Sequence, residues 1–379
     1  MADNRIPYMR PSVGQEEIDE VVDTLKSGWI TTGPKTHKFE EMVRDYVGAK
    51  NAIVLNSCTA ALHLSLIAAG VEGGEVITTP YTFAATVNTI IQSGAKPVLV
   101  DVQKDTFNID PANIEKAITP KTKAIVPVDY AGQACDLDEI NKIAKEHNLK
   151  VIEDAAHAIG AKYKGKRLGT MADSTCFSFY ATKNMTTAEG GAATTNDEKI
   201  ASRVRMLGLH GMSKDAWKRY GDKGSWYYEI EDLGWKYNMT DIAAAMGMHQ
   251  LKKLDGFIEQ RREIAKRFNE EFSKVDGLIT PTEKKDRLHI YHLYPLLLEN
   301  YDRAKFIEKM SEQGIGCSVH FIPIHMHPYY KKALGYREGR FPVAEWLYKR
   351  EVSLPLYPAM SDVDIERVIE EVKKIVKTK

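Results

Sequence analysis

The sequence predicts an α/β fold: a large domain with a mostly parallel sheet between helices, followed by a smaller α+β domain. Two observations predict the sheet. Short apolar runs alternate with stretches of helical period from Ala52 to Asp154, the pattern of parallel strands joined by crossover helices. Two such runs also end in chemically distinctive residues. VIED closes on Asp154, and Cys176–Phe179 leads into a polar turn that holds Lys183. A third observation sets the size. A chain of 379 residues, 43% hydrophobic and 27% charged, can bury one large core and a smaller one.

Composition narrows the function classes. Lys+Arg and Asp+Glu both number 52, so no global charge draws the chain to nucleic acid or to an anionic membrane. Cys58, Cys135, Cys176 and Cys317 are far apart and form no CxxC pair. They read as reduced thiols of a cytoplasmic protein without structural zinc. MADNRIPYMR has no apolar core of signal-peptide length, and no stretch is long enough to span a bilayer. No repeat or low-complexity segment is visible.

Taken in order, residues 1–13 read as an extended arm. Ile18, Val21, Val22 and Leu25 space a helix over Gln15–Ser27 that stops at Gly28. The turn GWITTGP leads to a second helix near Lys38–Val47. Ala52–Leu55 reads as a strand, Asn56–Thr59 as a turn and Ala60–Ala69 as a helix. Strand, small-residue turn and helix start together make an anion site, because unpaired N–H groups and the helix dipole converge there. Ser57 and Thr59 add hydroxyls, although Ser and Thr also serve there as plain N-caps.

Glu75–Thr79 is the next strand, and PYTFAATVNTII opens a helix with aromatics. Phe83 there fits either a ring stacked on a flat cofactor or a staple that packs the helix. Strands follow at Lys96–Val100, Ala124–Val128 and Val151–Asp154, with a helix at Leu137–His147. A Trp-, Tyr-, Lys- and Gly-rich stretch after Met206 lacks periodicity and reads as a long loop toward a partner subunit. Two helices, Thr240–Leu254 and Phe257–Phe272, straddle the expected boundary between domains 1–255 and 256–379. The second domain is expected to hold strands near Ile290–Leu298 and Gly316–His320, and helices near Arg303–Gln313, Val343–Arg350 and Asp362–Val376.

In a parallel sheet the ligand sits beyond the carboxyl ends of the strands. Ser57, Thr59, Phe83, Asp154, Ser178 and Lys183 all fall at or just after such ends. A lysine and an acid at one sheet edge are what pyridoxal phosphate (PLP) chemistry needs. The lysine forms the Schiff base, and the acid keeps the ring nitrogen protonated. A cleft that excludes water and places cations nearby is expected to lower the lysine's pKa.

GWITTGP, NSCTAALHL, PYTFAATVN, VIEDAAHAIG, FSFYATKN, AEGG, HGM, YNMTDIAAA and HFIPIHMHPYY together resemble the sugar aminotransferases of the DegT/DnrJ type, nearly end to end. The resemblance implies fold-type I, with a seven-stranded sheet. It implies that Lys183 is the Schiff-base lysine and proton shuttle, that Asp154 partners the pyridinium nitrogen and that His157 lies near the phenolic oxygen. It places Phe83 on the ring, and Ser57, Cys58, Thr59 and Ser178 at the phosphate. It brings Asn238 to the phosphate from a neighbouring subunit, hence a homodimer. Many members carry arginine where this chain has Asn238; the KYNMT form resembles the subgroup acting at carbon 4 of nucleotide-linked 4-keto-6-deoxy hexoses. A related branch that dehydrates has histidine at the lysine position, so Lys183 favours transamination.

For the substrates, the resemblance implies L-glutamate and a nucleotide-linked keto sugar, with Thr31, His210, His320 and Tyr329 at the substrate. Lys and Arg in the 203–223 region are candidates for the nucleotide diphosphate. His320, His325 and His327 follow an H-x4-H-x-H spacing that is a weak zinc signature without cysteine, so no metal is expected. The alternatives are amination at another carbon or of a cyclic keto alcohol, and a non-catalytic sensor on the same fold.

Overall fold

Strand order decides where a ligand can sit in this protein. The computed structural model describes residues 5–213 and 227–377. The strands of the large sheet are β1 (Asn51–Leu55), β2 (Glu75–Thr78), β3 (Lys96–Leu99), β4 (Thr122–Ile125) and β5 (Lys150–Asp154). A short hairpin, β6 (Lys162–Tyr163) and β7 (Lys166–Arg167), precedes the last two, β8 (Ser174–Ser178) and β9 (Gly191–Thr195). The seven-stranded order is β1-β9-β8-β5-β4-β2-β3. β9 runs antiparallel to β1 and β8, and every other neighbour pair is parallel. Six strands therefore end at one edge, and β9 begins there. Leu55, Thr78, Asp154, Ser178 and Gly191 mark that edge.

The helices of this part are α1 (Gln15–Ser27), α2 (Pro34–Val47), α3 (Cys58–Ala68), α4 (Ala84–Gln92), α5 (Pro111–Ala117), α6 (Leu137–Glu146), α7 (Glu198–Leu207) and α8 (Asp241–Phe272). α3, sequence CTAALHLSLIA, is buried on nearly every face. Its Ala and Leu side chains suit a helix packed between sheet and helices. Asp241 is buried and caps α2 from a distance of two hundred residues in sequence. Its carboxylate accepts the N–H groups of Gly33 (2.8 Å), Lys35 (3.1 Å) and Thr36 (2.9 Å). These are orphan donors of the first helical turn, and the contact ties the GWITTGP turn to the YNMTD segment.

Beyond α8 come β10 (Leu278–Ile279), β11 (Arg287–Leu288), β12 (Tyr294–Leu298) and β13 (Glu351–Leu354), with α9 (Arg303–Glu312), α10 (Pro328–Leu334), α11 (Pro342–Tyr348) and α12 (Asp362–Lys377). β10, β12 and β13 form an antiparallel sheet. Its core joins Phe268, Phe272, Tyr294, Phe306 and Val368, and Ile6 of the N-terminal arm inserts into it. Ile6 also pairs with Ile315, so the arm is fastened to the C-terminal core.

Several expectations change. The two helices expected at Thr240–Leu254 and Phe257–Phe272 are one 32-residue helix; Asp255 and Gly256 are tolerated there because neighbouring turns supply the hydrogen-bond ladder. Gly316–His320 is not a strand: Ser318 alone bridges Ser353. The strand that fills this place in the sheet is β13, with its buried Glu351 and Ser353, an acidic and polar pattern that does not read as a strand. The expected strand from Ile290 begins at Tyr294. The two ends of the long loop pair with each other at Leu209–Lys236 and Met212–Ile230. The part of that loop expected to reach a partner, and the basic residues expected there at 214–223, lie outside the described residues.

Candidate active site

A cavity of about 470 Å³ opens at the carboxyl edge of the sheet. One wall is built by the loop after each strand: Ser57, Cys58 and Thr59 after β1, Asp154 and His157 at β5, and Ser178 and Lys183 after β8. The facing wall comes from the C-terminal part, with His292, His320 and Phe321. Tyr8 and Met9 of the arm close the space between them.

Lys183 is half-buried in this cavity, and crowding by protein atoms pulls its amine down to about 8. Loss of water around a cation is the cause. Neighbouring charges act the other way: Cys58 and Asp154 both favour the protonated form. The expected cations are not the reason for the shift among the described residues. Asp154 is buried, and burial raises its pKa. Thr86 Oγ1 donates to Asp154 Oδ2 at 2.7 Å and the Ala156 N–H to Oδ1 at 3.2 Å, which partly restores the charged form. Thr82 stands behind Thr86 at 2.7 Å, completing a hydroxyl chain. His157 is buried and held neutral well below its usual range by burial, then by Lys183 and His320. The Ala131 N–H donates to its Nδ1 at 3.3 Å, which leaves the ring proton on Nε2.

The start of α3 provides an anion cradle. Ser57 Oγ caps the helix by accepting the Ala60 N–H at 3.1 Å. Gly191 lies against this turn: a Cβ there would stand 2.3 Å from Cys58 N and 2.5 Å from the Ser57 carbonyl carbon. Only glycine lets β9 pass so close beneath the helix N-terminus. A phosphate meets N–H donors and the helix dipole here. A protonated ring nitrogen would relieve the buried Asp154 carboxylate, and the partly neutral Lys183 can bond an aldehyde carbon. The residues present therefore fit PLP.

The structure gathers most sequence-derived candidates and leaves some outside. Ser57, Cys58, Thr59, Phe83, Asp154, His157, Ser178, Lys183 and His320 line the cavity. Phe83 is 64% exposed at the N-cap of α4, with Phe321 6.1 Å away, so its ring is available to a flat ligand. Asn238, Thr31, His210 and Tyr329 do not line the cavity of their own chain. Asn238 bridges to Leu55 and donates to Thr32 Oγ1 at 2.6 Å. The Thr31 carbonyl accepts from Asp241, and His210 donates to the Trp235 carbonyl. Tyr329 is largely exposed on α10. His325 turns inward to Glu345 at 2.8 Å, away from His320, and among the described residues no cluster of three His, Cys, Asp or Glu is arranged for a metal.

Sequence reasoning missed Thr86, His292, Phe321, Tyr8 and Met9. Thr86 carried a signal, since it lies one turn after Phe83 at the start of α4. Phe321 also carried one, as the neighbour of His320 in HFIPIHMHPYY; Tyr8, Met9 and His292 reach the cavity through chain segments remote from the sheet edge and have no motif to announce them.

Fold and site together define a PLP-dependent aminotransferase of fold-type I. Residues 11–373 match the DegT/DnrJ/EryC1/StrS aminotransferase family, and the chain belongs to it. Among its relatives, the spore coat polysaccharide biosynthesis protein SpsC of Bacillus subtilis is 52% identical over 378 residues, covering 98% of this chain and 97% of its own. Spr1654 of Streptococcus pneumoniae, solved in PMP and PLP forms, superimposes with a TM-score of 0.93 in the PMP form, at 36% identity over 98% of this chain and 99% of that one. Helicobacter pylori PseC, an aminotransferase involved in the biosynthesis of pseudoaminic acid, gives 0.92 at 31% identity over 99% and 100%.

Proposed function

We propose that this enzyme moves an amino group from L-glutamate to a nucleotide-linked keto sugar, at carbon 4 of a 4-keto-6-deoxy hexose, in two half-reactions. The carrying observation is Lys183, held near neutrality at about 8 in the cavity that also holds the buried Asp154. When bound, PLP supplies an aldehyde that accepts the amino group and a ring that takes up the electron pair left by proton loss. Asp154 holds the proton on the ring nitrogen, steadied by Thr86. Lys183 Nζ would anchor the cofactor at rest and, once displaced, would take a proton from the donor's alpha carbon and deliver it to the cofactor's aldehyde carbon, on the other side of the transferred nitrogen. The first half yields 2-oxoglutarate and the second yields the amino sugar. The sugar assignment draws on SpsC, described for polysaccharide, and PseC, described for pseudoaminic acid.

The working unit is a homodimer in this reading. Asn238, Thr31 and His210 all lie away from the lining of their own cavity, with Asn238 bonded to Thr32, the residue after Thr31. α1 turns Ile18, Val22 and Leu25 outward, and Leu233 is 78% exposed, apolar surface that a second copy would cover. The division into domains 1–255 and 256–379 remains part of this proposal, with α8 running through both. Four free thiols fit a cytoplasmic enzyme, and no described helix is long and apolar enough to cross a membrane.

Visible spectra test the first half. Wild type with PLP is expected to show a lysine-linked band that L-glutamate converts to the pyridoxamine form, and Lys183→Ala to lack that band. No lysine-linked band in wild type would overturn the assignment. Mass detection of product from dTDP-, UDP- and GDP-linked keto sugars then tests the acceptor.

A further inference from the structure

The C-terminal wall hides a hydrogen-bond chain behind His320. Ser353 Oγ lies 2.9 Å from His320 Nδ1 and 2.5 Å from Glu351 Oε1. Glu351 and Ser353 are both fully buried on β13, two residues apart on one face of the strand. The other carboxyl oxygen, Glu351 Oε2, accepts the His320 backbone N–H at 2.9 Å. Ser318 and Ser353 exchange backbone hydrogen bonds of 2.9 and 3.1 Å, and Tyr130 Oη donates to the His320 carbonyl at 2.6 Å. The chain from carboxyl to imidazole is thus fixed at every joint. Nδ1 is taken, so Nε2 is the ring nitrogen left to the cavity that His320 lines.

We infer that Glu351, acting through Ser353, sets which nitrogen of His320 carries the ring proton, and so whether this wall offers a bound sugar oxygen a donor or an acceptor. The logic is one of donors and acceptors. A backbone N–H only donates, so Oε2 is always an acceptor and any carboxyl proton sits on Oε1. With that proton present, Oε1–H donates to Ser353, Ser353 donates to Nδ1, and Nε2 carries a hydrogen. With the proton gone, Ser353 donates to the carboxylate and accepts from Nδ1–H, and Nε2 presents a lone pair.

Burial pushes Glu351 up to about 8, so both directions of the chain are reachable near neutral pH. The groups that face Glu351 leave it in control. Arg303 on α9 favours the carboxylate. Tyr8 from the arm, Tyr81 and Tyr130 from the large sheet's loops, and Cys317 are all raised by burial and stay neutral. His320 is itself kept uncharged, pulled down to about 4 by burial and then by Lys183. Glu351 and Ser353 are positioning residues; His320 is the group that meets substrate.

The sugar part of this inference rests on the proposed function; the tautomer does not, and the test separates them. Nitrogen-15 NMR of the PLP-loaded enzyme labelled at histidine, with His320 assigned by its loss in His320→Gln, reads the tautomer without substrate. Wild type is expected to show Nε2–H at pH 7 and to convert to Nδ1–H by pH 9. Glu351→Gln should stay Nε2–H at both, because its amide oxygen must take the backbone N–H and its NH₂ must donate to Ser353. Ser353→Ala should lose the conversion. A wild-type tautomer that does not change, or a Glu351→Gln enzyme that still converts, would overturn the relay, whether or not the other variant folds. In kinetics, the wild-type KM for the keto sugar should rise about ten-fold from pH 7 to 9, the scale of one hydrogen bond unmade, and should stay flat in Glu351→Gln. Meanwhile kcat should follow Lys183 alike in both. A tautomer that obeys Glu351 with an unchanged sugar KM keeps the relay and overturns its role toward the sugar.

Discussion

The sheet-edge wall of the cavity carries Asp154, Ser178 and Lys183 at the ends of β5 and β8; the opposite wall carries His292, His320 and Phe321 on segments around β12 and β13. In the first wall Asp154 and Ser178 are the last residues of largely buried strands, and Lys183 follows β8 in a tight turn in which its N–H donates to the Tyr180 carbonyl at 2.9 Å. Their positions follow from local order. In the second wall the segments that carry the side chains are held by distant parts of the chain: the His320 carbonyl accepts from Tyr130, the His292 N–H donates to the Ala131 carbonyl at 2.8 Å, and the Ile324 N–H donates to the Pro80 carbonyl at 2.8 Å. The difference teaches that one wall of the cavity rests on the order of the sheet and the other on tertiary contacts, the first being where the proposed function puts the cofactor chemistry and the second where it puts the sugar.

The comparison breaks most decisively at Lys183. Replacing it by alanine should reduce turnover by at least about 10⁴-fold, since the proposed function makes it both the covalent anchor and the proton carrier; steady-state assay and the missing band check this together. Asp154→Ala should cost about 3–4 kcal/mol of transition-state stabilisation, as when a preorganised electrostatic partner is removed. A kcat near wild type would remove Asp154 from the sheet-edge wall's chemistry. Gly191→Ala forces a Cβ into the first turn of α3, and PLP should bind about ten-fold or more weakly by fluorescence titration, through a distorted phosphate cradle.

A pH measurement sharpens the same wall. Lys183 is pulled down to about 8, so its reactive neutral fraction grows as pH rises and levels off above 8. The rate at which PLP reconstitutes the apoenzyme should therefore climb through pH 6 to 8 and flatten beyond; a lysine with its ordinary pKa would keep climbing toward 10. Smaller effects separate the two walls. Thr86→Val removes the 2.7 Å bond to Asp154, which lets burial raise that carboxyl further. It should lower kcat about five- to ten-fold, near 1 kcal/mol, with sugar KM unchanged. Tyr130→Phe loosens His320 at its carbonyl and should do the reverse, raising sugar KM a few-fold with kcat nearly intact.

Sequence alone was enough to bring Lys183, Asp154, Ser178 and the Ser57–Thr59 turn to the cavity, because strand ends and helix starts are local features and the sheet collects them at one edge; His157 came only from the family resemblance. The sequence also settled the alternation that makes the sheet, and the family pattern followed from the same motifs. Only the tertiary structure decided that α8 is unbroken, that the arm's Ile6 belongs to the C-terminal core, and that Asp241 caps α2 across the chain. Tertiary packing also brought His292 and Phe321 to the cavity and put Glu351 and Ser353 behind His320. A carboxylate flanked by valine and arginine in sequence reads as solvated surface. It becomes a buried partner of His320 only when β13 pairs with β12 and the 318–320 segment closes over it, since burial and hydrogen-bond partnership are properties of packed neighbours, which local order does not specify.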